Sequence, residues 1–377
     1  VGFALIFLVR VGLIRVLELS KKGRLTQFVE RQEPQIRAKL CRHKWFPPIL
    51  IALNPTTPPN AALATQFSKR LFYIDRANQS WLARSIRQSL EALLRGPVAP
   101  FRFFKRSGSP WEMRLYSRDK DGSYETDQLL DLMQIERQSP IALLSVRDEV
   151  YHAAIRQQHG EDAGPETDQD TSVRNPDLVS YLTAVMKLKA IGYTVVYFGF
   201  PAQPLASCLS KIVIDYSGSF REPRRDLLLG KRCNIMLCGS SGAWAFASLF
   251  NHPVAFSNTY VPFLSGYSTR DSFIPQLLWN ERENRLLTFQ EMIKTEWQYS
   301  YKSNCDRDRI RLVKNSPEEI ADHALEVVAR IQKSFVSHPE DKDLHCRFNQ
   351  IRSESKLKQS PGQISTIFLR KFAHLLV

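Results

Sequence analysis

Asn234-Ile235-Met236-Leu237-Cys238-Gly239-Ser240-Ser241-Gly242-Ala243-Trp244-Ala245 is the stretch on which the fold turns. Five apolar residues run without a polar break, small residues follow, and an apolar segment of helical character begins near Ser241. An uninterrupted apolar run of this length suits a strand covered on both faces, as in a parallel sheet. The small residues let a ligand approach the backbone, and free N–H groups at a helix start favour an anion such as a pyrophosphate. A plain tight turn with a serine N-cap explains the same residues equally well.

Working outward, strand and helix alternate. Ile141–Val146, Thr194–Phe198, Lys211–Asp215 and Pro253–Phe256 read as further strands, with helices predicted over Pro176–Ala190, around Asp226–Gly230 and from Ser241. Strands separated by helices of this length predict an α/β fold with a doubly wound parallel sheet. Asn315-Ser316-Pro317-Glu318-Glu319 opens another helix, with Ser316 as cap, Pro317 at the first position and Glu319 three after the cap. No further strand is expected after Phe256.

The chain has 377 residues, enough for more than one core. Its formal charge of +14 is unevenly spread: residues 1–120 carry 22 Lys+Arg against 7 Asp+Glu, and residues 121–377 carry 30 against 31. A basic N-terminal region attached to a neutral domain suits contact with an anionic surface or substrate. Nucleic acid is not the expected partner, since no zinc-finger or RNA-recognition signature is present. Six cysteines without a C-x-x-C pair argue against a disulfide scaffold or structural zinc and for a reducing compartment.

The expected organisation has four parts. Residues 1–19 are apolar apart from Arg10, Arg15 and Glu18 and read as a helix lying in a membrane plane, with a signal anchor and a buried core helix as the alternatives. Residues 20–135 form a basic acceptor-side domain containing a strand over 46–53 and helical spacing at Leu63, Phe67 and Leu71 and again from Trp81 to Leu94. Residues 136–335 form the nucleotide-sugar-binding domain, and 336–377 a helical tail expected to pack back on the N-terminal domain.

Two places carry candidate chemistry. The first is Gly239-Ser240-Ser241-Gly242, as an anion cradle or a tight turn. Gly239-x-Ser241-x-Ala243 also approaches a nucleophile elbow, which makes a serine hydrolase using Ser241 one alternative. The second is Ser145-Val146-Arg147-Asp148-Glu149-Val150-Tyr151-His152, where a buried strand ends. Arg147 there could pair with a phosphate or simply with Asp148; His152 titrates nearest neutrality, and Asp148 is the stronger hydrogen-bond orienter. Four Asp-x-Asp triplets, at 119/121, 168/170, 306/308 and 341/343, follow no clear buried strand and read as solvated turns, so no metal is expected. A non-catalytic basic protein that binds polyanions is the other alternative.

With these residues in view, the chain resembles the glycosyltransferases of bacterial O-antigen and surface-polysaccharide gene clusters. The matching stretches include Pro59–Leu63, Val146–Tyr151, Arg174–Asp177 through Tyr193, Ile214–Ser217, Asp226–Leu229, Cys238–Gly242, Phe250–Val254, Leu286–Glu291 and Ser365–Arg370. Their order, more than any one of them, carries the resemblance. It implies a GT-B-like fold, two Rossmann-like domains facing across a cleft. It also implies sugar transfer from a nucleotide-activated donor to a glycan or lipid-linked acceptor, without a metal or other cofactor, at the cytoplasmic face of the membrane. Gly239, Ser240, Ser241 and Gly242 would then hold the donor diphosphate and Arg147 the departing nucleotide. Asp226 would orient the ribose or cap its own helix, and Asp148 and His152 remain the other catalytic candidates. One segment departs from the family: where it has an Arg-Ile-Gly-His-like sequence, this chain reads Arg24-Leu25-Thr26-Gln27-Phe28-Val29-Glu30.

Overall fold

The computed structural model describes residues 14–18, 49–54, 71–75, 123–147, 175–199, 205–239, 241–259, 268–295, 298–300, 302–355 and 361–377. The chain divides into two compact units, Val1–Gly122 with Glu222–Leu228, and Ser123–Arg221 with Leu229–Val377.

In the first unit, β1 (Ile14–Glu18), β2 (Ile49–Asn54) and β3 (Leu71–Asp75) form an all-parallel sheet in the order β1-β2-β3. The expected in-plane helix over residues 1–19 is therefore corrected at Ile14–Glu18, which pairs with β2 from Ile14↔Ile49 to Glu18↔Leu53. Branching at Cβ in Ile14 and Val16 favours extended backbone, and the apolar β2 supplies the pairing partner. Leu71, expected on a helical face, instead opens β3. The helical stretch from Trp81 lies outside the described residues.

The second unit begins with α1 (Ser123–Leu132) and is built on seven strands. In chain order these are β4 (Ile141–Val146), β5 (Thr194–Tyr197), β6 (Ile214–Asp215), β7 (Ile235–Gly239), β8 (Val254–Thr259) and β9 (Ser272–Pro275), and, near the C-terminus, β13 (Gln363–Ile364). The order across the sheet is β13-β9-β8-β7-β4-β5-β6, with every neighbouring pair parallel. β4, β7 and β8 are buried along their whole length, as a sheet covered on both faces requires. The α/β, doubly wound parallel architecture read from the sequence is present.

Helices α2 (Leu182–Ala190), α3 (Ser207–Ser210), α4 (Pro223–Arg232) and α5 (Trp244–Leu249) connect the strands through β8. Side-chain acceptors satisfy the amides at strand starts. Asn234 Oδ1 takes the Ile141 N–H at 2.8 Å, and buried Asp271 takes the Val254 N–H at 2.9 Å.

After Phe256 the chain does form further strands, contrary to expectation: β9 and β13 join the main sheet, and three more follow β9. β10 (Leu277–Asn280), β11 (Arg285–Leu286) and β12 (Ile310–Val313) make an antiparallel sheet in the order β11-β10-β12. Their shortness and the Pro275-Gln276 break before β10 hide the two-residue period on which a strand reading depends. Between them lie α6 (Phe289–Lys294) and α7 (Lys302–Asp308). Thr288 and Glu291 make a capping box at α6, and Ser316 and Glu319 make the expected one at α8 (Pro317–Ile331), with Pro317 in its first turn.

The tail is built into the second unit. Residues 336–377 belong to the second unit: α9 (Asp341–Ser353) packs on α6, β13 pairs with β9, and α10 (Thr366–Lys371) packs on α8 and α9. The cause is a buried carboxylate. Glu326 of α8 accepts the N–H groups of Thr366 and Ile367 at 2.9 and 3.1 Å, the Ser365 hydroxyl at 2.5 Å and the Arg330 guanidinium at 2.8 Å. Asp341 and Arg370 add a two-bond ion pair at 2.7 and 2.6 Å. Among the described residues, no helix is long and apolar enough to cross a membrane.

Candidate functional site

The strand order reverses between β4 and β7: from β4 the chain winds outward through β5 and β6, then returns to the other side of β4 and winds through β7, β8 and β9. In open parallel sheets the carboxyl ends of the strands flanking such a reversal frame the crevice where ligands bind. Arg147 stands one residue past β4, and Gly239 is the last residue of β7. The Arg147 N–H donates to the Gly239 carbonyl at 3.0 Å, continuing the ladder that pairs Val146 with Gly239. Two candidates far apart in sequence are thus neighbours because the sheet makes them so.

Beyond Gly239, the described turn is held by its own short side chains. The Ser241 hydroxyl accepts the Ala243 N–H at 3.3 Å and shares a 3.0 Å hydrogen bond with the hydroxyl of Ser145, a buried residue of β4. The Cys238 thiol donates to the Ser241 carbonyl at 3.2 Å, and burial pushes that thiol up to about 12, so it stays protonated at neutral pH. Helix α5 starts at Trp244, three residues later than expected, and Ala243 caps it without a side-chain bond. Gly242 lies half-buried in the intervening turn.

The neighbouring strand end is likewise polar and neutral. Tyr181, wholly buried, shares a 2.7 Å hydrogen bond with the hydroxyl of Ser257 on β8. Asn258 follows with φ +52°, a left-handed conformation that its short amide tolerates. Its N–H donates to Asn315 Oδ1 at 2.6 Å, the Asn315 N–H donates to Asn258 Oδ1 at 2.8 Å, and Asn315 Nδ2 donates to the Pro275 carbonyl at 2.8 Å. Tyr181, Ser257 and Asn258 were not singled out in the sequence, while Ser145 figured only as the start of the second candidate stretch and Asn315 only as the start of a capped helix. The available signal was positional: Ser145 and Ser257-Asn258 interrupt apolar strands near their carboxyl ends.

Of the candidates, the structure brings together Arg147, Gly239, Ser241 and Gly242. Asp148, His152 and Ser240 lie outside the described residues. Asp226 is buried in the first turn of α4 and belongs with the N-terminal unit. Its own N–H is already bonded to the Glu222 carbonyl inside the helix, so it is not the N-cap residue.

Ser241 gains no described histidine partner. His252 precedes β8, at the opposite edge of the sheet from Ser241, and its Nε2 contacts the Lys231 carbonyl at 2.9 Å. His345 bonds the Thr366 hydroxyl at 2.8 Å, and His338 lies 3.3 Å from Glu340. The Asp-x-Asp triplets 119/121 and 168/170 lie outside the described residues. The other two are helical instead of forming turns: Asp306 and Asp308 on α7, and Asp341 and Asp343 in the first turn of α9. No group of three or more potential metal ligands occurs among the described residues.

No protein-family model matches the chain, and no curated protein matches it. Among solved structures it is similar to a family 9 glycosyl transferase from Veillonella parvula, with 12% identity over 84% of this chain and 97% of that one and a TM-score of 0.47. It is also similar to the ADP-heptose LPS heptosyltransferase II of E. coli, with 11% identity over 84% of this chain and 99% of that one and a TM-score of 0.49.

Proposed function

We propose that the chain is a glycosyltransferase that moves a sugar from a nucleotide-activated donor to a glycan or lipid-linked acceptor of surface-polysaccharide synthesis, without a metal. The observation that carries this reading is the reversal of strand order between β4 and β7, with Arg147 bonded through its backbone to Gly239 at the start of a small-residue turn. A cation and a close-approach backbone at one switch point suit a diphosphate. The family resemblance of Cys238–Gly242 and Val146–Tyr151 points the same way.

In the proposed reaction the acceptor hydroxyl forms a bond to the anomeric carbon as the bond from that carbon to the diphosphate breaks. The electron pair leaves with the nucleotide, and Arg147 stabilises the negative charge gathering there. The acceptor proton goes to a base, for which Asp148 and His152 are the candidates. The basic N-terminal unit, with its 22 Lys+Arg against 7 Asp+Glu over residues 1–120, would meet the acceptor and an anionic membrane surface on the cytoplasmic side. β1 lies inside residues 1–19, so that contact is assigned to the basic surface and not to an in-plane helix spanning them.

Thermal-shift measurement against nucleoside diphosphates and sugar nucleotides tests the reading. A ligand at 100 times its Kd adds about 2.7 kcal/mol to stability. A shift with at least one nucleotide is expected; none across the panel would sink the proposal, and labelling of Ser241 by a fluorophosphonate would replace it with a hydrolase. Turnover is expected to persist in excess EDTA, and loss that Mg²⁺ or Mn²⁺ restores would remove the metal-free part.

A further inference from the structure

We infer that Tyr181 is the positioning residue of the turn after β7, fixing where the donor-binding backbone begins; this rests on the reading of that turn as the donor site. Tyr181 closes a short 3-10 turn, Leu178–Tyr181, which starts where the Asp177 carboxylate accepts the Val179 N–H at 3.0 Å. From there its ring reaches over the carboxyl ends of β7 and β8.

Two independent contacts define where the phenol lies. Its hydroxyl hydrogen-bonds the Ser257 hydroxyl at 2.7 Å, and Ser257 is the β8 residue paired in register with Gly239 of β7. A Cβ placed on Gly239 would stand 2.3 Å from the Tyr181 hydroxyl oxygen, 3.2 Å from its ring carbon Cζ and 3.0 Å from Pro176 Cγ. The phenol therefore fills the space that any side chain at 239 would need, which is the reason for glycine there. Burial pushes the phenol well above its ordinary pKa, so it stays a neutral hydrogen-bonding group throughout the physiological range.

Gly239 is thereby held from both neighbours. On the β4 side its carbonyl accepts the Arg147 N–H and Ser145 holds Ser241. On the β8 side Tyr181 sits against its Cα and ties the contact to Ser257. A ring filling space alone would do as well with phenylalanine; the hydroxyl is what joins the ends of β7 and β8. Small displacements of a positioning group are costly for a bound reactant, so the hydroxyl should register in ligand affinity as well as in stability.

The test uses Tyr181→Phe, Gly239→Ala and the double variant in the full chain. In ligand-free protein, Tyr181→Phe should speed amide hydrogen exchange in 239–249 about tenfold and leave β4 and α8 unchanged. For whichever of UDP, ADP, GDP or CDP binds the unaltered protein, the same variant should weaken Kd roughly tenfold, the scale of one lost hydrogen bond. Gly239→Ala should lower Tm, and adding Tyr181→Phe should restore part of the loss, because the 2.3 Å clash is with the hydroxyl.

Unchanged exchange, or a double variant no more stable than Gly239→Ala alone, would make Tyr181 a core filler and overturn the inference. Faster exchange with unaltered Kd would overturn its role toward the ligand. If none of the four diphosphates binds the unaltered protein, the donor reading falls by itself, and exchange and rescue still decide whether Tyr181 holds the turn.

Discussion

Two polar clusters lie inside the second unit, and they are built from opposite materials. The strand-end cluster is made of hydroxyls and amides, Ser145 with Ser241, Tyr181 with Ser257, and Asn258 with Asn315, all neutral, with Arg147 as its neighbouring cation. The tail cluster is ionic: Glu326 with Arg330, Asp341 with Arg370, and Lys371 with Glu319 at 2.7 Å. Neutral groups fix the geometry of the strand ends through hydrogen bonds without placing further charge there. Charged groups are suited to closing a terminus, because losing either partner leaves the other uncompensated.

The widest separation between the clusters should come from Arg147→Ala. Turnover should fall about 10²- to 10³-fold, equivalent to ~2.7 to 4 kcal/mol, with urea unfolding unchanged. Arg147→Lys should recover only part, since a point charge does not reproduce the planar fork. Full activity in the alanine variant would assign Arg147 to structure alone and erase the contrast.

Glu326→Ala should do the reverse, lowering unfolding stability by about 3 kcal/mol while leaving nucleotide affinity within twofold. It strands buried donors from Ser365, Thr366 and Ile367. Burial by itself would raise the Glu326 pKa, but these donors and the nearby cations hold it below the ordinary carboxylate range. A variant that keeps its stability but loses nucleotide binding would mean the two clusters have been assigned the wrong way round.

A smaller effect is expected from pH. His323 of α8 is buried, with no hydrogen-bond partner at Nε2 among the described residues, and burial lowers its pKa from 6.5 to about 4 against the pull of Glu326 and with the push of Arg330. The unfolded chain takes up this proton below pH 6.5 and the folded chain resists it until about 4. Stability is therefore full above 6.5 and declines as pH falls between those values. Below that, Asp341, held at about 2 by Arg370, should continue the decline as the unfolded carboxyl protonates near its ordinary value and the folded one does not until about 2. Urea midpoints across pH 4 to 7 should show the first slope, and His323→Leu should flatten it. An unchanged slope in that variant would assign the pH dependence to other groups.

Several elements could be read from residue pattern because their cause is local. The apolar runs at Ile141–Val146 and Ile235–Gly239 could hardly be anything but covered strands, and Ser316-Pro317-x-Glu319 contains its whole helix-start mechanism within four residues. β13 failed to show because two residues carry no period, and Ile14–Glu18 because an apolar stretch is ambiguous until a pairing partner such as β2 is known. At the site, Gly239, Ser241 and Arg147 were visible as small or charged residues after apolar runs. Tyr181, Ser257 and Asn315 were not, since nothing local distinguishes a tyrosine near a helix start from one bound for the core.

The amino-acid order by itself thus determined the strand and helix alternation, the charge asymmetry and the small-residue turn, all consequences of composition within a few neighbours. Tertiary structure alone decided that β7 returns beside β4, that Arg147 thereby meets Gly239, that Tyr181 occupies the space a side chain at 239 would need, and that the tail joins the second unit's sheet. These depend on contacts between residues tens of positions apart, which backbone hydrogen bonding and buried volume select and which no short-range pattern encodes.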